Sequence, residues 1–204
     1  MHWLVSLLLI LITVEGFAQK AAMEEEPKVE IALNKNKRVK VTGYGFLQIN
    51  PTGVDDEGTA FLDLGGGVLF DGRYFVGMRI SNMAGTITRE VAGIPDLTLG
   101  ASYAGFQFNY FHKPHKLVHP MVGASVAWGT VGWQQNLQLF NNEIFVQDVF
   151  LYTVDGGVEL NLAEYIRLTV TGGYRWMENL DIQGLNDDAF NNFFIGLGIK
   201  MGKF

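Results

Sequence analysis

Cysteine is absent from all 204 residues. That excludes disulfides, thiol catalysis, thiolate metal sites and a lipid carried on a cysteine at a cleavage site. Past residue 18 there is no run of 18 or more apolar residues. A membrane helix needs roughly 20, so if this chain enters a membrane, strands take it there. Histidine is scarce: apart from His2, only His112, His115 and His119 occur, all around one connection. They are read as turn residues and, for His119, a lumen or interface residue, and no metal or cofactor is expected. The formal net charge is −6, and no nucleic-acid partner is expected. The "GGG" at Gly65–Gly67 is followed by no Lys-Ser/Thr and no helix, so it is not a phosphate loop.

What is present begins with a leader. His2 makes a weak polar start. "LVSLLLILITV", Leu4 to Val14, is an apolar stretch too short to span a bilayer as a helix, and "GFAQK" offers a small-residue cleavage site after Ala18. Residues 1–18 are therefore read as a signal peptide. Residues 19–38, "QKAAMEEEPKVEIALNKNKR", are charged and poor in aromatics, and read as a disordered lead-in on the periplasmic side.

From Val39 the composition changes to alternating apolar residues with many glycines. The stretch "IRLTVTGGYRWMENL" shows the pattern: Ile166, Leu168, Val170, Tyr174 and Trp176 share one side of an extended chain, and Arg167, Thr169, Thr171 and Arg175 the other. Extended segments are expected near 39–50, 59–70, 74–82, 97–110, 118–132, 145–162, 166–177 and 191–201. Three connections, "DGR", "FHKPHKL" and "AEY", are short. The other four, "PTGVDDEG", "MAGTITREVAGIPD", "WQQNLQLFNNEI" and "ENLDIQGLNDD", are longer and polar. Short periplasmic turns alternating with long extracellular loops on an even strand count are the pattern of an outer-membrane barrel. Residues 39–204 are thus expected to form an all-β, eight-stranded antiparallel up-and-down transmembrane barrel, with a secreted sandwich or lipocalin-like barrel as the soluble alternative.

Charge decides which face is the inside. Pairing Phe70 with Tyr74 across "DGR" sets Asp63 diagonal to Arg79. Pairing Leu162 with Ile166 across "AEY" sets Glu159 diagonal to Arg167, and Asp155 diagonal to Arg175; diagonal neighbours lie within reach of long side chains. Lys200 falls among small residues in "IGLGIKM". A face of glycines and matched charges suits the filled lumen of an eight-stranded barrel, and the opposite, uncharged face suits lipid. Tyr74, Tyr110 and Tyr165 lie beside the short turns, and Trp128, Trp133 and Trp176 toward the long loops, so the six are expected to form two interfacial girdles. Two segments resist a single phase. Tyr44 and Phe46 oppose Leu47 and Ile49. Leu97, Leu99 and Tyr103 oppose Phe106, Phe108 and Tyr110, for which a β-bulge near Gly105 is expected.

On "LGGGVLFDGRYFVGM", "HPMVGASVAWG", "GGVELNLAEYIRLTVTGGYRWM" and the terminal Phe204, the chain resembles the small OmpA/OmpX-type eight-stranded outer-membrane barrels of Gram-negative bacteria, over about residues 39–204. The resemblance implies residence in the outer membrane among lipid and lipopolysaccharide, and that Phe204 is an insertion signal for the barrel-assembly machinery. A monomer is expected. The expected role is structural or interactive, with a plugged lumen supporting envelope integrity or surface contact. A small pore is the alternative, and a lipid A-modifying enzyme a third reading. That enzyme needs a nucleophile and base near the long loops, where no histidine of the mature chain falls. The acids Asp55, Asp56, Glu57, Glu178, Asp181, Asp187 and Asp188 are read as solubilising loop charge rather than a cation site.

Overall fold

The structure, a computed structural model, describes residues 39–137 and 140–204, and side chains outside 136–144. The expected signal peptide (1–18) and lead-in (19–38) lie outside the described residues. Among the described residues there are nine strands: β1 Val41–Val54, β2 Glu57–Phe70, β3 Tyr74–Met83, β4 Thr88–Val91, β5 Ile94–Phe111, β6 Val118–Leu137, β7 Phe140–Ala163, β8 Ile166–Glu178 and β9 Asn192–Lys203. Among the described residues there is no helix. Neighbouring strands hydrogen-bond in the order β3-β2-β1-β9-β8-β7-β6-β5, and β3 pairs with β5 to close the ring. The result is an antiparallel up-and-down barrel of eight strands. β4 is the ninth and stands outside the ring, paired only with β5.

Local chemistry sets the turns. At the short-turn end, Asp71 and Gly72 take positive φ (50° and 66°), and Arg73 N donates to Phe70 O at 2.9 Å. Asp and Gly tolerate that backbone, so the chain reverses within three residues. The "PTGVDDEG" connection is not a long loop. β1 and β2 run on to a two-residue turn at Asp55 and Asp56, whose φ of 48° and 66° match the hairpin type that favours Asp. β4 and β5 join in the same way through Ala92 and Gly93 (φ 53° and 78°). β6 and β7 likewise continue past the ring, to Leu137 and from Phe140. Three of the four expected long loops are therefore hairpins, and only 179–191 carries no strand.

The bulge expected near Gly105 is absent. β5 keeps an unbroken register with β3 from Tyr74↔Tyr110 to Asn82↔Ser102, and with β6 from Leu97↔Gln135 to Phe111↔Met121. Leu97, Leu99, Ala101, Tyr103, Asn109 and Phe111 all point inward on that one phase, while Phe106 and Phe108 point out. Gly105 shares the inward phase because the neighbouring strand crosses closely there: a Cβ would collide with Val126 O and Ala127. Bulges do occur opposite Val131–Trp133, at Asn161–Ala163 and at Arg89–Val91.

Outside the ring runs a belt of exposed large apolar side chains. It includes Leu47 and Ile49, Leu62 and Leu64, Val76, Met78 and Ile80, Phe106 and Phe108, Val122 and Val126, Val154 and Val158, Leu168 and Val170, and Phe193, Ile195 and Leu197. Tyr44 and Phe46, ambiguous in sequence, face inward. The interior holds two apolar clusters with polar residues between them. Toward the short turns, Tyr44, Phe46, Leu69, Phe75, Phe111 and Met121 pack together with Phe204 against them. Toward the hairpins, Phe61, Leu97, Leu99, Tyr103, Trp133, Leu151 and Met177 meet Ile87, Val91, Leu180, Ile182, Ala189 and Phe190.

Candidate functional site: the filled interior and its loop-end seal

Period-2 alternation delivers one inward side chain per two residues from every strand, so eight strands aim many polar groups at one narrow axis. Asp63 of β2 and Arg79 of β3 meet at 3.3 Å (Oδ2 to Nη1). Ser81 donates to the other Asp63 oxygen. Arg79 Nη2 donates to Ser125 Oγ at 2.7 Å, and Ser125 and Thr153 share a hydroxyl hydrogen bond of 2.6 Å. This chain crosses the lumen from β2 through β3 and β6 to β7.

A second centre gathers on Glu159 of β7, which has no solvent exposure. Lys200 Nζ and Thr169 Oγ1 reach Oε1, the latter at 3.4 Å, and His119 Nε2 (3.1 Å) and Arg167 Nη1 (3.3 Å) reach Oε2. His119 Nδ1 faces Lys116 O at 3.2 Å. The cations are also covered by rings: Arg167 lies over Phe204 at 3.9 Å, and Lys200 over Phe111 and Tyr44 at 4.9 and 5.2 Å. The terminal Phe204 therefore packs against the inner cluster and not on the apolar row of β9. That is consistent with its even position, shared with Lys200, opposite in phase to Phe193–Met201.

Arg175 and Asp155 do not form the expected pair. Arg175 is buried but turns toward the hairpins, where Nε donates to Phe190 O at 2.9 Å and the guanidinium lies over Phe61 at 4.5 Å. Asp155 forms no ion pair among the described residues. The diagonal spacing is real, since Asp155 opposes Gly173, but the carbonyl and rings at the loop end hold the guanidinium instead. Between these groups lies a cavity of about 10 Å³, lined by Asn50, Phe61, Asp63, Arg79, Tyr103, Thr153, Arg175 and Phe194, at the lower limit of the space a single water needs.

Trp133 is corrected from girdle to seal. It is 0% exposed, and its indole Nε1 donates to Gln183 O at 3.0 Å. At its height the outward face has left the apolar belt and the apolar residues have moved inside. The other residues expected in the girdles face outward: Tyr74 beside Tyr110 (5.4 Å) and Tyr165 at the short turns, Trp128 beside Phe106 (5.9 Å), and Trp176 stacked on Tyr152 (5.3 Å).

The seal is clamped from above. Arg89 of β4 donates to Asp55, to Asp55 O (3.2 Å) and through Nε to Glu57 Oε1 (2.8 Å). Asn186 Nδ2 donates to the other Asp55 oxygen at 2.6 Å, and Asp55 N donates to Ala189 O at 2.9 Å. The Arg89 hydrogen bond holds the Asp55 carboxyl below its ordinary range, and Asp55 in turn raises Arg89. Beside the clamp an open groove of about 610 Å³ runs between Phe145–Gln147 and Asp181–Leu185. Sequence reasoning missed the Arg89 clamp, the Ser81–Ser125–Thr153 relay and the seal residues Ile87, Val91, Leu180, Ile182 and Phe190. The signal for the seal was the apolar content of "TITREVAGI" and "ENLDIQGLNDDAF". Among the described residues, no group of three or more His, Asp or Glu is placed to hold a metal.

No protein-family model and no curated protein matches the sequence. The fold superposes on the crystal structure of Neisserial surface protein A with a TM-score of 0.61, at 10% identity, over 82% of this chain and 100% of that one. The N-terminal β-barrel domain of Pseudomonas aeruginosa OprF (TM-score 0.46, 9% identity, 78% of this chain, 96% of that one) and Ail, the attachment invasion locus protein of Yersinia pestis (0.47, 10%, 79% and 96%), align more loosely. The likeness is one of fold, the small eight-stranded barrel that OmpA/OmpX-type outer-membrane proteins adopt.

Proposed function

We propose that the chain is exported to the outer membrane of a Gram-negative bacterium and works there as a monomeric, non-catalytic barrel with a plugged polar lumen, supporting envelope integrity or surface contact through its hairpins. One observation carries this reading: a closed barrel wears its large apolar side chains outside and its charges inside. Exposed apolar surface on that scale is costly in water and suits lipid. The acidic hairpins then face lipopolysaccharide outside the cell, the short turns face the periplasm, and the barrel-assembly machinery takes Phe204 as its insertion signal. The packed layers of the interior leave a water-sized cavity, which speaks against a pore. Heat-modifiable migration of the protein from outer-membrane fractions, with little steady conductance in planar bilayers, is the expected result. Recovery of the protein from soluble periplasm without detergent, or a stable and sizeable channel, would refute the reading.

A further inference from the structure

We infer that the short-turn end is a preorganised platform for the headgroups of anionic phospholipids, an inference that rests on the membrane-spanning reading above. Two turns, 71–73 and 112–117, are brought side by side. Phe111 N donates to Arg73 O at 2.8 Å, and a Cβ on Gly72 would sit 3.8 Å from the Pro114 ring. The longer turn is tied down from beneath. Asn161 Nδ2 donates to Pro114 O (2.9 Å) and Lys116 O (2.7 Å), Asn161 N donates to Leu117 O (2.8 Å), and Lys116 N donates to Lys113 O (3.0 Å). Its carbonyls are thus used inside the protein, while Arg73, Lys113 and Lys116 are exposed and form no ion pair among the described residues.

Height and sign identify the occupant. Tyr74 and Tyr165 end the apolar belt on this side, and Leu117, 67% exposed, protrudes from the same turn as Lys116. An apolar side chain beside cations one or two residues beyond the belt suits the boundary between acyl chain and headgroup. Lys203 adds a fourth cation at this end, against the side-chain carboxylates of Asp71 and Glu164. At the hairpin end the sign reverses: among the described residues Arg175 is buried inside, and Arg89 is already clamped by Asp55 and Glu57. A phosphodiester without its own ammonium therefore gains at the short turns rather than at the hairpin end.

Each basic side chain near an anionic surface is worth about a factor of five. The test inserts the mature chain into vesicles of equimolar phosphatidylcholine and phosphatidylglycerol, releases it in mild detergent and counts retained lipids by native mass spectrometry. Phosphatidylglycerol should be enriched at least about fivefold over the bulk ratio. The triple change Arg73→Gln, Lys113→Gln, Lys116→Gln should return retention to the bulk ratio with unboiled gel migration unchanged. Salt at about 0.5 M, where screening shortens to below roughly 5 Å, should do the same to the unaltered protein. Retention at the bulk ratio, or enrichment that survives both the triple change and salt, would overturn the platform. Failure of the unaltered protein to insert, read by gel migration, would instead sink the membrane reading itself.

Discussion

Removing the Glu159 carboxylate tests whether the interior is held by charge. Its oxygens meet Lys200, Arg167, His119 and Thr169, and nothing about it touches solvent. Glu159→Ala leaves Lys200 and Arg167, 3% and 5% exposed, with no carboxylate in ion-pair contact. Breaking a buried pair by deleting one partner costs about 3–5 kcal/mol. Both cations keep their aromatic cover, worth roughly 0.5–2 kcal/mol at such sites, so the lower part of the range is expected, about 3 kcal/mol. Lys200→Met leaves Glu159 with Arg167 and His119, and should cost about 2 kcal/mol, the scale of one charged hydrogen bond. In the double variant the orphaned lysine is gone, so the costs should fall short of their sum by about 1–3 kcal/mol. Urea unfolding in phospholipid vesicles, followed by tryptophan fluorescence and gel migration, measures each, with unchanged m showing that the folded and unfolded states stay comparable. A loss below about 1 kcal/mol for Glu159→Ala, or strict additivity in the double variant, would refute the charge-centred account.

Trp133→Ala should empty the loop-end seal and cost about 3–5 kcal/mol, far more than Trp128→Ala on the outward face, in the same unfolding assay. The Arg89 clamp should respond to acid with a definite sign. Asp55 is held below its ordinary range, so its contribution is complete above the usual carboxylate pKa of about 4 and is lost as pH falls through the depressed value. Protection of the 179–191 amides, taken relative to the intrinsic exchange rate at each pH, should therefore hold from neutral pH to about 4 and fall below it, and Arg89→Gln should lower it throughout.

The turns made much of the fold legible. "DGR" set Phe70 opposite Tyr74, and every partner down to Phe61↔Met83 follows from it, including the diagonal that brings Asp63 to Arg79. The "AEY" link set a register that holds from Leu160↔Leu168 to Phe150↔Glu178, even though a bulge at Asn161–Ala163 lies between that register and the turn. β4 was not legible. "TREV" has no pattern of its own length and exists because it pairs with β5 and buries Ile87 and Val91. Nor was the fate of Arg175. Spacing put Asp155 within reach, but the competing partner, Phe190 O, comes from a segment with no periodicity to place it.

The parity switch in β5 was visible in sequence, and its cause is height rather than a bulge. One rule, apolar side toward lipid, holds only where there is lipid. Ala104, Trp128 and Phe150 lie side by side across three strands, and one outward step higher come Ser102, Thr130 and Asp148. The inward residues flanking that level are Tyr103 and Val149 just below it and Ala101 and Val131 just above it, all buried. The apolar face thus changes sides between Trp128 and Thr130; on the membrane-spanning reading proposed above this is where the hydrocarbon edge falls, with Trp128 at the girdle, while Trp133 is core. A chain without cysteine allows a direct check. Single cysteines at Val126, Trp128 and Thr130, each carrying a spin label, sample the outward face at successive heights about 7 Å apart. In vesicles, oxygen should relax the label at 126 most strongly and a water-soluble nickel chelate the label at 130, with the crossover at 128. A label at 130 that remains shielded from nickel would place the edge higher and return the inward turn of Leu97, Leu99 and Trp133 to a question of packing alone.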